Sequence, residues 1–288
     1  MWVKPESLQL TGSFKIRGAF NALSLLPDAA RPAGVVADSS GNHAQGIAAA
    51  AARLGLHATI VMPVDAAPVK VARTAAWGVE IVRSPPAVDE RIATAREIAE
   101  RTGAEYVPPF DDPRIIAGQG TLGLEVAEDL PEVGTVVVPI GGGGLISGTA
   151  IALRALRPTC RIVGVEPELA ADAAESLRAG HVVRWPAERV GATIADGVRA
   201  QSVGELNWAV ISRLVDDVVT VPEEAILAAM RFAALEAKLA LEPTGALAIA
   251  ALRTGALTPR GPTVLVATGG NFDPALMAAV LAADAAGQ

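Results

Sequence analysis

Residues 135–156 read TVVVPIGGGGLISGTAIALRAL. A β-branched apolar run ends in four glycines, Gly141, Gly142, Gly143 and Gly144, and a helical pattern opens near Leu145. The same alternation continues in both directions. Strands are expected at residues 34–37, 58–62, 79–82, 135–139, 161–165, 217–221 and 263–267. Helices are expected at 13–26, 42–54, 68–77, 88–101, 116–129, 145–156, 223–239, 245–252 and 274–283. Strands separated by helices of this length imply βαβ units and an α/β fold with mostly parallel sheet. Runs such as TVVVP and TVLVA lack polar alternation, as strands covered on both faces do.

Composition sets the outer limits. A length of 288 residues allows one large domain or two ordinary ones. With 51% hydrophobic and 19% charged residues, the chain does not have the composition of a disordered segment. A net charge of -7 provides no basic excess to neutralise phosphates, which argues against a nucleic-acid partner. Cys160 is the only cysteine, so no intramolecular disulfide can form. His43, His57 and His181 show no zinc-ligand spacing. The opening MWVKPESLQL lacks the basic segment and apolar run of a signal peptide. The apolar stretch 44–52 is short and ends at Arg53, so it reads as a buried helix and not a membrane span. A soluble cytoplasmic protein with no membrane partner is expected.

In open α/β sheets ligands bind beyond the carboxyl ends of the strands. Three segments carry chemistry suited to such positions. The first is the glycine run, whose N–H groups can converge on an anion while the helix behind it adds a partial positive charge. It has neither the Lys-Ser/Thr ending of a nucleoside-triphosphate loop nor a dinucleotide fingerprint. A closely packed turn is the other reading, and the strand–glycine–helix context favours phosphate. The second is Ser39-Ser40-Gly41-Asn42-His43. It reads either as a helix N-cap or as a second anion site able to hold a carboxylate. The third is TGSFKIRGA at 11–19, where Ser13 is a candidate cap and Lys15 has apolar neighbours Phe14, Ile16 and Ala19. Only Lys4, Lys15, Lys70 and Lys238 supply primary amines on side chains. A desolvated lysine has the lowered pKa that a Schiff-base nucleophile requires, and an ordinary surface lysine fits the composition too.

Together with IAGQGTLGLEV at 116–126, VEP at 165–167, TIADGV at 193–198, LEPTGA at 241–246 and TGGN at 268–271, these segments resemble the fold-type II pyridoxal-phosphate enzymes. Within that group they resemble the serine/threonine dehydratase and serine racemase family. The resemblance implies a two-lobed α/β fold, each lobe a mostly parallel sheet flanked by helices. A large cofactor-binding lobe would comprise residues 1–33 and 104–288, and a small lobe residues 34–103. Relatives usually carry several tens of residues before the lysine motif, whereas fourteen precede Lys15 here. The implied assembly is a homodimer, and the partner is a small-molecule amino acid.

Roles follow by resemblance, residue by residue. Lys15 would bond covalently to pyridoxal phosphate and act as the catalytic base. Gly141, Gly142, Gly143 and Gly144 would cradle the phosphate, Phe14 would flank the ring, and Asn42 would bind its 3-hydroxyl. Thr268 would face the pyridine nitrogen. Ser39, Ser40, Asn42 and His43 would bind the substrate carboxylate, and Ser40 occupies the position that in the family's racemases acts from the opposite face. A Mg2+ or Ca2+ site would use Glu166, the Ala170 carbonyl and Asp172, the alternative being two solvated acids at a helix start. The implied reaction is β-elimination of water from L-threonine or L-serine, giving a 2-oxo acid and ammonia. Serine racemisation and dehydration of 3-hydroxyaspartate on the same scaffold are the neighbouring readings. A truncated, non-catalytic relative that only binds the cofactor is another.

Overall fold

The computed structural model describes residues 1–39, 41–66 and 68–283. In chain order the first elements are β1 (Trp2–Pro5), α1 (Lys15–Ser24), β2 (Val35–Asp38), α2 (Asn42–Leu54), β3 (Ala58–Pro63), α3 (Pro68–Ala75) and β4 (Glu80–Ser84). There follow α4 (Val88–Thr102), β5 (Glu105–Tyr106), α5 (Pro113–Asp129), β6 (Thr135–Pro139), α6 (Gly144–Leu156), β7 (Arg161–Pro167) and α7 (Asp172–Ala179). The last are α8 (Ala187–Val190), α9 (Glu205–Leu214), β8 (Asp217–Val221), α10 (Glu223–Leu235), α11 (Pro243–Arg253), β9 (Thr263–Ala267) and α12 (Pro274–Ala282). By internal packing the chain divides into two units, residues 14–119 and residues 1–13 with 120–288.

The unit of residues 14–119 is built on a parallel sheet of order β4-β3-β2-β5. Its central strands, VVAD and ATIVMP, are buried along their whole length. One face is covered by α1 and α2, with Leu23, Ile47, Ile60 and Met62 in the core between them. Helix α2 is buried continuously from His43 to Ala51, as the alanine-rich stretch leads one to expect. Small side chains there allow helix and sheet to approach closely. At Gly46 helix α2 comes close to the start of α1: a Cβ would stand 3.2 Å from the Lys15 carbonyl. The opposite face packs under α4, where Ala95 meets Val36 and Val61.

The unit of residues 1–13 and 120–288 is built on a second parallel sheet, of order β1-β9-β6-β7-β8. Helix α11 is buried from Pro243 to Ala251 and packs on β9, β6 and β7, backed by α10. Strands β6 and β9 lie side by side, Thr135 opposite Thr263. The glycine run and Thr268 therefore leave the sheet at the same end. Strand β1 pairs Pro5 with Ala267, and Ser13 bridges Gly269.

Several expectations need correction. Strand β1 escaped notice because its WVKP sequence is partly exposed and has no apolar run. Strand β5 has only two residues. The expected helix ranges omit α7, α8 and α9; of α9 only Asn207 and Ile211 are buried, too narrow a stripe to read. The helix expected at 223–239 stops at Leu235, and Lys238 takes a left-handed backbone (φ 58°) that an α-helix cannot include. Ser13 does not cap α1: the N-cap is Phe14, without a side-chain bond. Helix α2 likewise starts behind Gly41 with no side-chain cap. No helix among the described residues is long and apolar enough to cross a membrane.

Candidate active site

In the unit of residues 14–119, Lys15 stands in the first turn of α1. Its Nζ donates to the Pro109 carbonyl at 2.7 Å and lies 5.2 Å from the centre of the Phe14 ring. The residue keeps some accessible surface, but the amine is crowded by protein. That desolvation lowers its pKa from the ordinary 10.5 to about 8. His43, in the first turn of α2, is buried, and its Nε2 meets the Val107 carbonyl at 3.1 Å. A carbonyl only accepts, so Nε2 carries the proton and Nδ1 is left as an acceptor. Burial, then the nearby Lys15 charge, lowers the His43 pKa to about 4, so the ring is neutral at pH 7. Segment 107–109, directly after β5, thus anchors both Lys15 and His43. Asn42 opens α2 beside His43. The Ser39 hydroxyl accepts from the Gly41 N–H at 3.1 Å and so shapes the turn out of β2. Ser40, expected to bind substrate and act in catalysis, lies outside the described residues.

The other unit gathers the glycine run, Thr268 and two segments quoted for the resemblance. Gly143 is the N-cap of α6 with φ 97°, a left-handed conformation that favours glycine. A Cβ there would stand 2.8 Å from the Asn207 Cβ and 2.9 Å from the Ile211 Cδ1. Gly142 accepts a hydrogen bond from the Gly204 N–H at 3.0 Å, and a Cβ on Gly141 would lie 3.0 Å from the Val198 Cα. The first N–H groups of α6 have no intrahelical acceptor and form a donor cluster behind the glycines. Thr268 is buried, and among the described residues its hydroxyl meets no hydrogen-bond partner. Glu242 of LEPTGA is buried too, and its side chain borders Gly269. Glu242 and Asn207 were given no role by sequence reasoning; the LEPTGA motif pointed to the first, and nothing pointed to the second.

Gly143→Ala tests this packing. An alanine there meets both the wrong backbone region and the Asn207 side chain. The substitution is expected to cost about 2 kcal/mol, lowering the melting temperature by roughly 4–8 °C. A variant that melts with the wild type would show that the turn can rearrange.

Glu166 and Asp172 lie farther along the same unit, at the end of β7 and the start of α7. Both are fully buried, which rules out the reading of two solvated acids. The Glu166 oxygens accept from the Ala173 and Ala174 N–H groups at 3.0 and 2.8 Å. Among the described residues the only donors near the Asp172 oxygens are backbone N–H groups, its own and that of Val203, and neither makes a well-formed hydrogen bond. Burial raises both pKa values, and the Asp172 charge adds to the shift at Glu166. Ala170 is buried in the turn between them. No cluster of three or more His, Cys, Asp or Glu that could hold a metal occurs among the described residues.

Comparison with known proteins places these residues in context. The profile of the family described as pyridoxal-phosphate dependent enzyme matches residues 1–269. The chain is 44% identical over 276 residues to the catabolic L-threonine dehydratase TdcB of Escherichia coli (strain K12), covering 95% of this chain and 83% of the relative. It is 45% identical over 274 residues to an L-threo-3-hydroxyaspartate ammonia-lyase of Pseudomonas sp, covering 95% and 85%. Among solved structures, maize serine racemase superposes with a TM-score of 0.92 at 39% identity, covering 96% of this chain and 85% of that one.

Proposed function

This chain belongs to the pyridoxal-phosphate dependent enzyme family, and from that premise we propose that it is an ammonia-lyase removing water from L-threonine or L-serine. The products are a 2-oxo acid and ammonia. The observation that carries the reading is Lys15, a primary amine crowded by protein, bonded to the Pro109 carbonyl and set beside the Phe14 ring.

In each unit the residues present fit the part of the cofactor assigned to them. Gly141, Gly142, Gly143 and Gly144, with the start of α6, offer N–H donors for its phosphate, and bulk there is excluded by Val198, Asn207 and Ile211. Thr268 offers a buried hydroxyl with no protein partner to the pyridine nitrogen. Phe14 offers an apolar flank and Asn42 an amide. Bound pyridoxal phosphate supplies an electron sink conjugated with the substrate Cα. The work of the chain is then positioning and proton transfer. The Lys15 amine, drawn toward its neutral form, takes the proton from Cα as general base. The Ser39 and Asn42 side chains and the N–H groups opening α2 bind the substrate carboxylate, as does Ser40. His43 has already committed its one N–H to Val107. Its part is therefore to hold this loop, because a second acceptor nitrogen cannot donate to a carboxylate. Glu166, Asp172 and the Ala170 carbonyl are assigned to Mg2+ or Ca2+, a hard cation suited to oxygen donors.

A panel of 3-hydroxy amino acids, followed for 2-oxo acid and for inversion at Cα, tests the proposal. Threonine or serine should give 2-oxo acid at the highest kcat/KM. Preference for threo-3-hydroxyaspartate would move the substrate, inversion without 2-oxo acid would favour the racemase reading supported by the likeness to the maize enzyme, and no turnover would reject catalysis.

A further inference from the structure

Asp38 is the last residue of β2, and Ser39 of the substrate loop follows it directly. It is only 3% exposed. A buried carboxylate is costly unless its charge and its lone pairs are answered. Here both are: Oδ1 accepts from the Tyr106 hydroxyl at 2.6 Å, and Oδ2 from the Arg91 Nε at 3.1 Å. Tyr106 comes from β5 and Arg91 from α4, so three elements meet on one side chain. Burial and the Asp38 charge push the Tyr106 phenol upward, which keeps it a donor, and Arg96 sits 5.5 Å from the centre of its ring. The chain then runs from Tyr106 straight into Val107 and Pro109, the carbonyls that hold His43 and Lys15. One end of this network therefore fixes the start of the substrate loop. The other fixes the segment that anchors the lysine and the histidine.

We propose that Asp38, Tyr106 and Arg91 are positioning residues that set the loop for the substrate α-carboxylate without touching it, an inference that rests on the function proposed above. An apolar residue at position 38 would pack at lower cost, but it would not tie β2 to β5 and α4. The charge balance also has a direction. Arg91 offsets an acid that would otherwise stand at the threshold of a site for an anion. Removing Arg91 alone should harm carboxylate binding more than removing Arg91 and the Asp38 charge together.

The test is titration of L-alanine, which has the carboxylate and no β-leaving group, into the cofactor-loaded enzyme by calorimetry. Arg91→Met should weaken binding about tenfold and Tyr106→Phe several-fold. Adding Asp38→Asn to Arg91→Met should recover affinity to within about threefold of wild type. A purely structural role predicts no such recovery. Binding unchanged in both single variants would overturn the proposal, and so would a double variant as weak as Arg91→Met. Tyr106→Phe loses a single oxygen and keeps its ring in place, so it decides the matter if Arg91→Met does not fold. Wild type that binds L-alanine but yields no 2-oxo acid from any hydroxy amino acid would sink the lyase reading alone. Wild type that binds no L-alanine would sink the network as well.

Discussion

Lys15→Ala is expected to lower turnover of the best hydroxy amino acid by about 10⁴-fold or more, the upper range for loss of a positioned proton-transfer group. Two of the other three lysines are already engaged elsewhere. Lys4 is paired with Glu125 and Asp129, and Lys238 is bonded to the Leu235 carbonyl. Borohydride treatment of the loaded wild type, followed by peptide mapping, should leave the cofactor on Lys15. A Lys15→Ala variant with wild-type turnover would overturn the assignment.

The same residue can be tested without turnover. In the cofactor-free protein the folded pKa of about 8 lies below the unfolded 10.5. Between those values the unfolded chain binds the extra proton, so stability rises with pH across that window. Below about pH 8 the penalty is fully present, amounting to at most about 3 kcal/mol, and less for the surface Lys15 retains. Lys15→Met removes the charge and keeps much of the volume. It leaves the Pro109 carbonyl without its donor, which costs about 1 kcal/mol. Cofactor-free Lys15→Met should therefore melt above cofactor-free wild type at pH 7, with the gap closing as the pH climbs past 8. A gap that does not change with pH would show that the amine is not desolvated.

The parallel sheets were legible because buried strands such as TVVVP and TVLVA have no competing pattern. The chemical residues were legible as motifs at strand ends, and scarcity of lysine narrowed the search for an amine. What a linear sequence withholds is burial and long-range pairing. The spacing of Glu166 and Asp172 fits solvated acids as well as cation ligands; complete burial excludes the first. Asp38 is 53 residues from Arg91 and 68 from Tyr106, so no local pattern marks their meeting. Ser13 looks like a helix cap because serine often is one. Its backbone is instead taken by the bridge to Gly269, and the helix begins two residues later. Asn207 lies behind Gly143 because α9 folds there, and α9 has too weak an apolar stripe to announce itself.

Removing divalent cations should lower the melting temperature of the cofactor-loaded protein by several degrees. Two buried carboxyl groups, raised in pKa by burial and, at Glu166, by the charge of its neighbour, are unfavourable as anions without a countercharge. Glu166 already satisfies two N–H groups of α7, whereas Asp172 has, among the described residues, only its own N–H and that of Val203 nearby, without a well-formed hydrogen bond to either. That donor set suits a hard cation, with carbonyl and water oxygens completing the shell. A cation held at about a hundred times its dissociation constant stabilises the folded state by about 2.7 kcal/mol, on the order of 5–10 °C for a chain of this size. Chelation should remove that increment, and added Mg2+ or Ca2+ should restore it where Na+ does not. Asp172→Asn makes the argument sharper, because the sign of its effect should reverse. In chelator the variant should melt above wild type, since one of two repelling charges is gone. In Mg2+ it should melt below wild type, since a ligand is lost. Melting curves that ignore chelator and cation in both proteins would remove the site, and the buried pair would then have to be stabilised by sharing a proton.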